Sequence, residues 1–148
     1  MAKVDAKLLE KISNFIESNG EEPLERLIDD YSVDRESSTL TILVNSGSHY
    51  IPPKYLVGEV FNFTEGGINT DKKELEVFVK TKLQVLSVKL REKNWDRINI
   101  IPTGHPMLSM HVTLMVYRIT RKEPNIVCYF GNSGYREVFI EYRPILDV

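Results

Sequence analysis

Three histidines, one cysteine and a few serines are the side chains that could serve as ligands, bases or nucleophiles. His105 and His111 lie six apart and His49 is distant, so neither HExxH nor a comparable metal-ligand spacing exists. Cys128 sits in the apolar run NIVCYF and reads as a small buried hydrophobe, leaving no disulfide and no cysteine metal cage. Ser46, Ser48 and Ser109 lack the GxSxG context of a nucleophile elbow. Neither GxGxxG nor GxxxxGK[ST] occurs, so no phosphate loop is encoded. Asp29 and Asp30 are adjacent, and helical neighbours point about 100° apart, which makes a poor carboxylate pair. These patterns predict no tightly bound metal, no cofactor and no covalent catalyst. The chain reads as a binding protein rather than an enzyme.

Two loops carry more promise than any single side chain. Asn45-Ser46-Gly47-Ser48-His49 follows the apolar run TLTILV, and Pro102-Thr103-Gly104-His105 follows RINII. If those runs are parallel strands, both loops leave the carboxyl edge of one sheet. Open α/β sheets bind ligands at that edge, near a reversal of strand order. Small residues expose backbone N–H groups there, and a following helix N-terminus favours an anion. The candidate ligand-binding residues are Ser46, Ser48, His49, Thr103, Gly104 and His105, and the expected ligand is a phosphate-bearing small molecule. Ordinary Gly- and Ser-rich turns are the alternative reading.

The elements that would hold these loops follow from periodicity. Leu8, Leu9, Ile12, Phe15 and Ile16 fall at helical spacing, and Asn19-Gly20 ends that helix. A second short helix has Pro23 in its first turn and Leu24, Leu27, Ile28 and Tyr31 on one face. Asp34 to Ser38 is a polar loop. Thr39 to Val44 is a strand buried on both faces, and Tyr55 to Phe63 is patterned as another. Pro52-Pro53 excludes helix and central strand from the segment between them. Leu75, Val79, Leu83, Leu86 and Leu90 make the stripe of a long helix over 70–93, capped by Asn69, Thr70 or Asp71. Val77, Phe78, Val85 and Val88 widen its apolar face, which predicts cover on two sides. Arg97 to Ile101 is a short buried strand. Strand, helix and strand together form a crossover unit with parallel strands.

Residues 106–120 fit two periods. Leu108, Met110, Val112, Leu114 and Val116 alternate as in a strand, whereas Leu108, Val112, Met115, Val116 and Ile119 fit a helix started near Pro106. Asn125 to Phe130 is a strand, Gly131 to Gly134 a turn, and Tyr135 to Tyr142 a final strand. The fold class is α/β: a single domain over 1–148, with a helical hairpin (1–33) packed on a 39–142 core. That core is a small mixed sheet with one long crossover helix. The alternative is α+β, with 108–142 as an antiparallel meander.

Composition bounds the function. The chain of 148 residues is 42% hydrophobic and 27% charged, a globular mix that is neither disordered nor disulfide-dependent. No apolar run reaches the ~20 residues of a membrane span, and Met1 to Lys11 has no signal-peptide core. A cytoplasmic protein is expected. The net charge of −2 argues against general nucleic-acid binding. Acids outnumber bases about two to one through the first third, which reads as a solvated helical face. The Pro-Pro segment, an edge strand at 135–142 and the apolar helix predict a homodimer.

Residues 98–130, INIIPTGHPMLSMHVTLMVYRITRKEPNIVCYF, resemble the Rossmann-like sensor domains of prokaryotic immunity, the CARF and SAVED groups. The resemblance lies in a buried strand, a short Gly/Pro loop, a helix and another strand. It implies recognition of a cyclic oligonucleotide by strand-end loops, with Thr103, Gly104, His105, Ser46 and Ser48 in contact, and a role in antiviral defence. The 107–120 segment is poorer in small residues than those helices, and the chain has no room for the effector commonly fused to them. His111-Val112-Thr113-Leu114 is similar to half of the paired HxT signature of the 2H phosphoesterases. The second copy is missing, because His49-Tyr50-Ile51 lacks the hydroxyl residue. The expected function is a small-molecule sensor without its own effector. A non-catalytic protein-interaction subunit is the alternative.

Overall fold

The β-branched run at Thr39 and the leucine-rich stripe beyond Asp71 build the two elements on which the rest is laid. In the computed structural model, residues 5–26, 28 and 38–147 are described. They fall into two compact units, Met1–Ser37 and Ser38–Val148.

The first unit holds helix α1 (Ala6–Asn19), whose N-terminus is capped by the Asp5 carboxylate accepting the Lys7 N–H. Gly20, at φ +80°, ends it by donating its N–H to the Ile16 carbonyl, as the Asn-Gly pair predicts. No residue of α1 is buried. Residues 22–26 are again helical. Leu27 and Tyr31, expected on the second helix, and residues 34–37 of the expected loop lie outside the described residues.

The second unit comprises β1 (Thr39–Ser46), β2 (Glu59–Glu65), α2 (Lys72–Arg91), β3 (Arg97–Ile101), α3 (Pro106–Thr120), β4 (Asn125–Tyr129), β5 (Tyr135–Val138) and α4 (Arg143–Leu146). The sheet order is β2-β1-β3-β4-β5, with the first four strands parallel and β5 antiparallel to β4. This is an α/β fold. The antiparallel meander is excluded, because 106–120 is a helix and β3 and β4 are parallel. The expected strand at 55–63 is displaced: Pro53–Tyr55 makes a 3-10 turn, and β2 begins only after Gly58. The last strand stops at Val138, short of Tyr142.

Period two divides each strand between the faces. Leu40, Ile42 and Val44 of β1, Phe63 of β2, and Ile98 and Ile100 of β3 face Val79, Leu86 and Leu90 of α2 and Leu108, Val112 and Val116 of α3. Full burial of each such side chain contributes about 1.5–3 kcal/mol before conformational entropy is charged against it. The α2 stripe is as predicted, and the Asp71 carboxylate caps it by accepting the Lys73 and Glu74 N–H groups. Among the described residues of this unit the expected second cover is not found: Val77, Val85 and Val88 are exposed.

On the other face no helix of this unit joins the core, and the side chains are organised in rows. Thr41, Asn99 and Asn125 stand side by side in register, all buried. The Asn99 amide donates to Thr41 Oγ1 (3.3 Å), and Asn125 Nδ2 donates to Asn99 Oδ1 (3.2 Å) and to Glu137 (3.1 Å). Two residues further along the strands, Leu43, Ile101 and Val127 form a small second core with Ile51, Tyr55, Leu56 and Tyr135. The third row, Asn45, Thr103 and Tyr129, lies at the carboxyl ends.

Trp95, 1% exposed, anchors the turn from α2 into β3. The Lys89 and Lys93 ammonium groups lie 5.5 and 4.4 Å from its ring centre, and both pair with Glu59 at the start of β2. Hydrogen bonds from Lys89 and then Lys93 hold the Glu59 carboxyl below the usual carboxylate range. The stabilisation from this network is therefore present above the ordinary carboxylate range and is lost as pH falls below that range through the lowered folded-state value.

Gly58, at φ +71°, permits the turn into β2, and a Cβ there would lie 2.2 Å from the Thr39 carbonyl oxygen. Gly66 has a similar φ of +67° but open space around it. Gly66→Ala should cost about 1–2 kcal/mol, the left-handed penalty alone. Gly58→Ala should cost at least about 3 kcal/mol, because backbone must also move. Urea melts of the two variants check the contrast, and equal losses would contradict it.

Candidate functional site

The two predicted loops do leave the same carboxyl edge, since β1 and β3 are adjacent and parallel. Strand order also reverses there: from β1 the chain steps outward to β2 and then returns past β1 to β3. The crevice at this reversal is filled by the protein itself. The Asn45 N–H donates to Thr103 Oγ1 (2.9 Å), and the Thr103 hydroxyl donates back to the Asn45 carbonyl (2.6 Å). Asn45 Nδ2 donates to the Gly66 carbonyl (3.0 Å), and the Ser48 hydroxyl donates to Asn45 Oδ1 (3.2 Å). Gly104, at φ +81°, lies so close that a Cβ would sit 2.7 Å from Asn45 Cβ. Asn45 thus stitches together the carboxyl ends of three strands.

Open space begins one strand further along, as a cleft of about 490 Å³. Its lining is Ile101, Pro102, Thr103 and Gly104 at the end of β3, Val127, Cys128 and Tyr129 of β4, Tyr135 of β5, and His49 and Tyr50 from the loop after β1. Ile101 and Val127 belong to the face away from α2 and α3, so the cleft opens on that side. Of the six predicted residues, His49, Thr103 and Gly104 line it. Ser46 and Ser48 do not, and the Ser48 hydroxyl is engaged with Asn45. His105 also lies outside: its Nδ1 accepts the Met107 N–H (3.2 Å) and caps α3. That bond occupies one of the N–H groups an anion would have used.

Tyrosines dominate the remainder. The Tyr55 hydroxyl donates to the Tyr135 carbonyl (2.7 Å), and the Tyr135 hydroxyl donates to the Tyr50 carbonyl (3.4 Å). This reciprocal pair fastens the 47–58 loop to β5. The Tyr135 ring lies 5.6 Å from that of Tyr55 and 5.3 Å from that of Tyr129, tilted at 46° and 52°. Tyr50 and Tyr129 remain 79% and 66% exposed. Sequence reasoning missed these rings because register, not spacing, gathers them: Tyr129 pairs with Tyr135 across the β4–β5 turn. The available signal was that Tyr129 ends a strand parallel to β3 and so shares its carboxyl edge.

Burial pushes the Cys128 thiol up, keeping it protonated and weakly nucleophilic at neutral pH. Burial, and secondarily the neighbouring Tyr129, raises the Tyr135 phenol as well. The lining contains no Lys, Arg, Asp or Glu. Among the described residues, no group of three or more His, Cys, Asp or Glu side chains is placed to hold a metal ion, and no helix is long and apolar enough to cross a membrane. Comparison with protein-family models, curated proteins and solved structures gives no match.

Thr103→Val should remove both bonds to Asn45 while keeping the volume. A buried N–H and C=O would then be left unpaired, at a cost of about 2 kcal/mol or more. Thr103→Ser keeps the hydroxyl and should cost under about 1 kcal/mol. Denaturant unfolding of both variants provides the check, and a Val variant as stable as the Ser variant would show that the bridge carries little.

Proposed function

We propose that this chain is a small-molecule binding module that senses its ligand through the tyrosine cleft at the carboxyl edge of the sheet. The observation that carries the reading is the convergence of His49, Tyr50, Thr103, Gly104, Tyr129 and Tyr135, drawn from separate segments, around one open cleft. Such a cleft, apolar in its floor with polar groups at its rim, is the usual form of a ligand site. With no acid–base pair in the lining, binding rather than turnover is its chemistry. A cyclic oligonucleotide, as the resemblance implies, or another ring-bearing nucleotide derivative is the ligand class to try first.

A saturating ligand should raise the melting midpoint. At a hundredfold excess over Kd it contributes about 2.7 kcal/mol, which is several degrees for a domain of this size. Thermal shift against nucleosides, mononucleotides, dinucleotides and cyclic oligonucleotides tests this. If none moves the midpoint at millimolar concentration, the sensing reading falls.

A second reading, a non-catalytic interaction subunit that includes a homodimer, is favoured by a different observation. Val77, Val85 and Val88 of α2, and Met110, Leu114 and Tyr117 of α3, are exposed on the sides away from the sheet. Surface helices normally present polar residues there. Light scattering should then report a dimer at high micromolar concentration, and Leu114→Asp should return it to a monomer. A wild-type monomer at that concentration removes the homodimer.

A further inference from the structure

Granting the binding role of the cleft, we infer that the part of the ligand held there is an uncharged planar heteroaromatic ring of the nucleobase class, and that any phosphate stays outside. Three observations carry this, and they run against an anion cradle. The lining holds no Lys or Arg, the residues on which phosphate recognition normally depends. The small polar groups that could have replaced them are engaged: the Thr103 hydroxyl with both backbone groups of Asn45, the Ser48 hydroxyl with the Asn45 side chain, and the Met107 N–H with His105. Beside the His49 imidazole and the strand-end backbone, what remains free is aromatic. Tyr135 is fixed by its phenol on the Tyr50 carbonyl, while Tyr50 and Tyr129, both in the lining, are mostly exposed.

Aromatic faces bind flat rings by stacking without requiring charge. The strand-end backbone of Pro102–Gly104 adds carbonyl acceptors and the Gly104 N–H, the Thr103 N–H being given to the Ile101 carbonyl, and a base edge can use these where a plain hydrocarbon cannot. A quaternary ammonium ion would also find ring faces attractive. It would gain nothing from that backbone edge, and an open cleft of about 490 Å³ does not wrap it on all sides.

Equilibrium binding on the full chain separates these cases, using the common ribonucleosides, their 5′-monophosphates, inorganic phosphate and tetramethylammonium as probes. At least one nucleoside should bind with a Kd within about threefold of its monophosphate, and raising the salt severalfold should leave it unchanged. Tyr129→Ala should weaken that nucleoside by about tenfold, the weight of one base–aromatic stack. Tyr117→Ala, which removes an exposed tyrosine on α3 far from the lining, should not. Monophosphates that bind more than about tenfold tighter than nucleosides, with steep salt dependence, would overturn the inference while leaving the cleft a ligand site. Preferential binding of tetramethylammonium would do the same, as would a Tyr129→Ala variant that folds and binds normally. Failure of every probe, together with the wider nucleotide panel, would instead remove the binding role itself.

Discussion

The handedness of parallel crossovers governs this architecture. A strand–connection–strand unit with parallel strands packs back on its sheet in one hand only. From β2 the chain advances in one direction to β3 and on to β4, so α2 and α3 must cover the same face. The step from β1 to β2 runs the other way, and its connection is therefore sent to the opposite face. There is no α-helix in that connection, only the 3-10 turn at Pro53–Tyr55. Ile51, Tyr55 and Leu56 reach from it onto Leu43, Ile101 and Val127 and make the only cover that this short loop can supply. The cleft is the place where that cover ends and β5 has not yet closed the gap. Its position follows from chain direction before any side chain is considered.

Side chains then decide that the cleft is not at the strand-order reversal itself. A crevice between diverging connections ordinarily stays open, because nothing bridges it. Here Thr103 and Asn45 bridge it with two hydrogen bonds on backbone groups that would otherwise end their ladders unpaired. Each bond is worth only about 1 kcal/mol net, but leaving the same groups buried and unpaired costs more. Gly104 lets the two loops approach to contact, which any side chain would prevent. Residues of the kind that suggest ligand contact from sequence are, in this fold, the ones that close the crevice. Turn chemistry and ligand chemistry draw on the same small polar residues.

That overlap explains what could and could not be read from the sequence. The α/β class, the stripe of α2 and the shared edge of the two loops follow from period and order alone. The segment at 106–120 stayed open because Leu108, Val112 and Val116 satisfy both a step of four and a step of two. Its context settles it: His105 caps the first turn, Pro106 fits there without an N–H to lose, and the β3–β4 pairing needs a crossover. The strand expected from Tyr55 failed because Gly58 demands a positive φ that breaks the extended run. The tyrosine cluster was invisible for a different reason. Tyr50, Tyr129 and Tyr135 share no period, and only the antiparallel register of β4 and β5, with the 47–58 loop fastened over it, brings them together.

The three rows on the face away from α2 and α3 divide the work of holding the fold. At the amino ends, Thr41, Asn99 and Asn125 form a fully buried chain of hydrogen bonds extended by Arg97 and Glu137. A slip of one residue in any strand would turn these polar groups into the apolar core and break every bond, so this row fixes register. The middle row supplies burial through Leu43, Ile101 and Val127. With alignment and burial secured by two rows, the third is released from both tasks at its outer end. Tyr129 can remain two-thirds exposed there without weakening the sheet. Residues excused from stability in this way are those a fold can devote to a ligand, and on this face they stand beside the cleft.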